Sequence, residues 1–191
     1  QLQQLGADPA RYRVNLQQAD RFEPQVGRYL LERWPLSQIN TLFATRLRTP
    51  VWRVRFWRPD EREEYVLNLP VNQAGASPVA AAGGTAAAPA PAAIPLWAFE
   101  HVIPDSAAGD TLTVEAAQLV ASDFLRQHAI EPADLELKES RSERRKARTD
   151  HTFEWQLPDS TLGEAGVRYL VIVKGGAVAG LRPYVHLPEA W

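Results

Sequence analysis

Residues 150–159 read DHTFEWQLPD, and residues 51–60 read VWRVRFWRPD. Both are alternating strands that end in Pro-Asp, with His151, Phe153 and Trp155 in the places of Trp52, Val54 and Phe56. In a strand, successive side chains point to opposite faces, so each stretch offers one apolar face to a core. Working outward, QLQQLGADPARYRV (1–14) lies over FLRQHAIEPADLEL (124–137), each a helix end, an acid-Pro-Ala turn and a short strand. YVLNL (65–69) lies over YLVIV (169–173), and WAFEHVIPD (97–105) over LRPYVHLPE (181–189). The chain therefore reads as an internal repeat of one helix and four strands, with its first helix truncated at Gln1.

Two insertions lengthen the first copy. VGRYLLERWPLSQINTLF (26–43) gives a helical insert over about 18–47, interrupted by Pro35. Residues 74–95 form an uncharged Ala/Pro-rich loop, at the point where the second copy has the tight turn KGGAVAG (174–180). Prolines 78, 89, 91 and 95 would break a membrane helix there repeatedly. The second copy carries a complete helix: Thr113 is its N-cap, and Ala117, Val120, Ala121, Phe124 and Leu125 form one apolar stripe. Strands are predicted near 135–140, 150–157, 167–174 and 178–187. The resulting expectation is an α+β protein of two units, 1–110 and 111–191, each a helix packed on its own four-stranded antiparallel sheet.

Composition narrows the function. The 191 residues are 45% hydrophobic and 23% charged, with a formal net charge of −2, which argues against a nucleic-acid partner. With no cysteine, thiolate metal sites and disulfides are excluded; with no methionine, the chain reads as a piece of a longer protein. The four histidines, 101, 128, 151 and 186, have no helical zinc spacing, so no metal and no cofactor is expected. Glu63 and Glu64 are strand neighbours on opposite faces and share no substrate.

The stretch RTDHTFEW (148–155) supplies the candidate binding residues Arg148, Asp150, His151 and Trp155. His151 is a core-rim strand residue in one reading and a base working with Asp150 in another, although strand neighbours face opposite ways. KESRSERRKAR (138–148) offers Arg141, Arg144, Arg145 and Lys146 to an anionic surface such as lipid headgroups, or else forms a solvated hairpin.

RTDHTFEW, together with LGEAGVRYLVIVKGGAVAGLRPYVHLPEAW (162–191), resembles the PepSY-like tandem region of bacterial CPBP-type intramembrane metalloproteases, relatives of the CAAX prenyl endopeptidases. TPVWRVRFWRP (49–59) and EEYVLNL (63–69) look like the first unit of the same region. The resemblance implies a non-catalytic binding or regulatory region, membrane-attached and extracytoplasmic. Its partners would be the protease's membrane region in the same chain and a peptide segment, with zinc held elsewhere in the parent. The family's EExxxR motif is not met, since Asn68 stands where the arginine belongs. Phe124 and His128 spell FxxxH, but on a helix with polar neighbours.

Overall fold

The computed structural model describes residues 2–19, 23–48, 50–71, 96–158 and 162–191; the Ala/Pro-rich loop of 74–95 lies outside them. Among the described residues the strands are β1 (Arg13–Ala19), β2 (Val51–Trp57), β3 (Glu64–Pro70), β4 (Ala98–Val102), β5 (Glu136–Arg144), β6 (Thr149–Gln156), β7 (Gly166–Lys174) and β8 (Ala177–His186). The helices are α1 (Pro24–Leu31), α2 (Leu36–Leu42) and α3 (Val114–Gln127).

All eight strands form one antiparallel sheet in the order β1-β2-β3-β4-β8-β7-β6-β5. This corrects the expectation of two separate helix-on-sheet units. Two features join the halves. First, the fourth strand of each meander pairs with the other, with Phe99 opposite Leu181 and Glu100 opposite Gly180, so the seam has no free edge. Second, the cores are shared. Tyr65, Leu67 and Phe99 from the first half lie in one cluster with Phe153, Val171, Val173 and Leu181 from the second. The helical insert crosses over as well: Val26, Tyr29 and Leu30 of α1 and Ile39 of α2 pack with Leu162, Ala165, Val167 and Val185.

Strand parity sets the layers. His151, Phe153 and Trp155 point to the same face as Val171 and Val173, and all are buried. The strand residues in both large clusters come from this first face. Helix α3 lies on it over β6, β7 and β8. Ala117, Ala121 and Leu125 are fully buried along the helix, and the two alanines let its backbone approach the sheet. Thr113 Oγ1 accepts from the Ala116 amide at 3.3 Å, satisfying one of the orphan donors at the helix start. The described residues of the first half open on a 3-10 turn, Gln3–Leu5, closed by Gly6 in the left-handed region at φ 82°.

The β7–β8 turn is Gly175-Gly176, both at positive φ, the geometry a two-residue hairpin requires. It docks against Gly109, where an added Cβ would lie 2.7 Å from Gly175 Cα.

Candidate functional site

An eight-stranded open sheet has two edges, and here they differ in chemistry. At one edge β5 carries Glu136, Lys138, Glu139, Arg141, Glu143 and Arg144, with a bulge between Leu137 and Glu139. Lys138 pairs with Glu136 at 2.6 Å, and Arg141 pairs with Glu139. Charges and bulges on an edge strand resist pairing with another chain. Residues 138–144 of the basic run thus lie in β5 itself, and 145–148 form the turn of its hairpin with β6. An edge strand with this little burial needs no apolar alternation, so charge alone did not mark it as a loop.

The other edge is β1, RVNLQQA, whose single charge is Arg13. Val14 is 56% exposed and Leu16 58% exposed, opposite Phe56 and Val54 of β2, and neighbouring Trp52 is 38% exposed. These five side chains share one face, and β1 is paired on one side only among the described residues. The outer row of amides and carbonyls is therefore flanked by apolar side chains and lacks the guarding charges of β5. The sequence marked a short strand after the Asp8-Pro9-Ala10 turn. Its place at an edge was not marked.

The RTDHTFEW residues are brought together, inside the protein. Arg148, 2% exposed, donates from Nε to Asp150 Oδ1 at 2.7 Å. Its Nη1 donates to the carbonyls of Pro104 at 2.9 Å and Ala107 at 2.7 Å. Asp150 also accepts from Arg145 Nε at 3.2 Å. The guanidinium thus clamps the segment leading to α3 onto the start of β6. His151, 2% exposed, faces the opposite way. Its Nε2 lies 3.1 Å from the Leu112 carbonyl, which can only accept, so that nitrogen carries a proton. Nδ1 lies 2.8 Å from the Ser142 hydroxyl, and the ring is stacked parallel to Phe153. Trp155 is 3% exposed in the main core. Asp150 and His151 do not touch, and no base pair is assembled from them.

Of the surface cations, Arg145 pairs with Glu143 at 2.7 Å as well as with Asp150. Arg144 and Lys146 are exposed and make no ion pair among the described residues.

Sequence reasoning passed over a second cluster. Glu63 and Glu64 diverge as strand neighbours should, Glu64 to Arg55 and Glu63 to Arg58 and to His101 Nε2 at 2.9 Å. The His101 ring stacks on Tyr65 at 3.9 Å, and Tyr12 meets Tyr65 edge-on at 5.7 Å. Burial, with Glu63 beside it, pushes the Tyr65 hydroxyl up to about 12. Burial also holds His101 below its ordinary value, against the opposing pull of Glu63. Among the described residues no three histidines, aspartates or glutamates cluster as a metal site would need. None of the helices there is long and apolar enough to cross a membrane.

In comparisons with known proteins, no family model matches the chain. No curated protein and no solved structure matches it either.

Proposed function

We propose that this chain is a non-catalytic binding or regulatory region that takes up an extended polypeptide segment by strand addition along β1. The observation that carries this reading is the difference between the edges: six charged residues guard β5, whereas β1 exposes Val14 and Leu16 beside one arginine. An incoming strand would pair its backbone with the outer row of β1 and lay alternate apolar side chains over Val14, Leu16 and Trp52. Covering the exposed parts of the two aliphatic side chains would contribute ~1 kcal/mol each. The narrower setting rests on the resemblance of RTDHTFEW and LPEAW to the CPBP-type protease region. It places the chain beside a membrane-embedded protease, whose own segments or substrates supply the strand. Reading the gene on both sides for hydrophobic spans bearing EExxxR and FxxxH tests that setting separately.

The binding itself is tested by panning a displayed library of short peptides on the chain and on a Val14→Lys/Leu16→Lys variant. Enrichment of alternating apolar sequences on the first and not on the second supports strand addition. Equal enrichment on both, or none on either, contradicts it. Concentration-dependent dimerisation abolished by the variant would make a second copy the occupant and contradict the peptide reading.

A further inference from the structure

The second face of the sheet, opposite α3, holds a depression of about 440 Å³ across the seam between the halves. Its origin is Gly180 of β8, which faces Glu100 across the seam and leaves a gap in the row of side chains. A Cβ built there would lie 3.4 Å from Ile172 Cδ1, in ordinary contact, so the gap is real space beside that side chain. Val66 on one side and Leu170 and Ile172 on the other make apolar walls, and Arg53, Glu100 and Arg182 stand exposed at the rim.

Among the described residues the charged groups lining the depression make no ion pair, although the Arg182 guanidinium lies over the Tyr184 ring at 5.3 Å. Elsewhere on this face Arg55 pairs with Glu64, and Glu154 takes Arg168 at 3.1 Å and the Tyr184 hydroxyl at 2.6 Å. Neither Arg53 nor Arg182 has a carboxylate within ion-pair distance there, and Glu100 has no cation. Asn68 lines the depression, and its side-chain amide makes no hydrogen bond to the protein among the described residues and is open to solvent there.

We propose that this depression binds a small zwitterion with an apolar body, an aliphatic amino acid or a short apolar peptide. The free carboxylate takes the two guanidiniums and the Asn68 amide, which lies opposite Arg53 in register. The ammonium takes Glu100, one step along the neighbouring row beside Val66. The aliphatic part rests on Val66, Leu170 and Ile172. The volume matches small-ligand sites. This site is distinct from the outer edge of β1.

Calorimetric titration with L-leucine and with L-leucyl-L-leucine tests it, alongside N-acetyl-L-leucine, which lacks the ammonium, and isopentylamine, which lacks the carboxylate. The expected result is saturable binding of one or both zwitterions, the tighter of the two identifying the source. Both blocked analogues and an Arg53→Ala/Arg182→Ala variant should bind at least about tenfold more weakly. A Gly180→Val variant, which fills the gap, should lose binding while unfolding as the parent does. No binding by either zwitterion, or binding unaffected by the double arginine variant, overturns the proposal. N-acetyl-L-leucine binding as tightly as L-leucine would do the same.

Discussion

Arg148 holds the protein's most demanding polar contacts. Its guanidinium is buried, paired with Asp150 and bonded to carbonyls of the segment before α3. Breaking a buried pair by removing one partner leaves an uncompensated charge, so Arg148→Met should destabilise the fold by ~3–5 kcal/mol. Equilibrium urea denaturation measures this; a loss below 1 kcal/mol would mean that Arg145 alone satisfies Asp150. His101 gives a pH signature. Burial depresses its folded-state value below the ordinary ~6.5. The unfolded chain therefore takes up the proton first, and stability is full above about pH 6.5 and declines on acidification below it. His186 is depressed in the same direction, by burial and then by Arg168, and adds to the slope. His101→Phe keeps the stack on Tyr65 and should flatten, without abolishing, the fall in melting temperature between pH 7 and 5. An unchanged slope would exclude His101 as its source. The residue scale was legible in part: parity alone put Asp150 and His151 on opposite faces, whereas the reach of Arg148 to Pro104 and Ala107 links positions some forty apart and has no local signal.

Each element was written in its local pattern, and its neighbours were not. The stripe of α3, its Thr113 cap and the alternation of β6 all follow from spacing. At Ala121, fully buried between helix and sheet, a larger side chain has no room. Ala121→Leu should cost ~1–3 kcal/mol by overpacking, read from the same denaturation curves. Strand β5 was expected near 135–140 and runs on to Arg144; its charged second half has no apolar alternation to mark it as strand. In β1 two of the exposed side chains, Val14 and Leu16, are apolar instead. Val14→Lys/Leu16→Lys should change stability by less than about 0.5 kcal/mol, because neither side chain belongs to the core. A larger loss would mean that β1 is held by those side chains and not offered to a partner.

At the scale of the molecule, the repeat in the sequence conveyed four strands in each half and could not convey how the halves meet. An outer strand and a seam strand carry the same alternation. The outcome turns on a short pairing of β4 with β8, on Gly180 at that contact, and on α1 and α2 crossing to Val167 and Val185. Because one core spans both halves, the chain should unfold in a single cooperative transition, with calorimetric and van't Hoff enthalpies equal. Native-state amide exchange tests the single open sheet most directly. In one sheet, the amides of β4 and β8 at the seam are interior and should exchange only through global unfolding, as slowly as those of β3 and β7. The outer amides of β1 should exchange fast. Fast exchange at Phe99, Glu100, Gly180 and Leu181, at the rate of an edge, would contradict the account and return the protein to two separate four-stranded units.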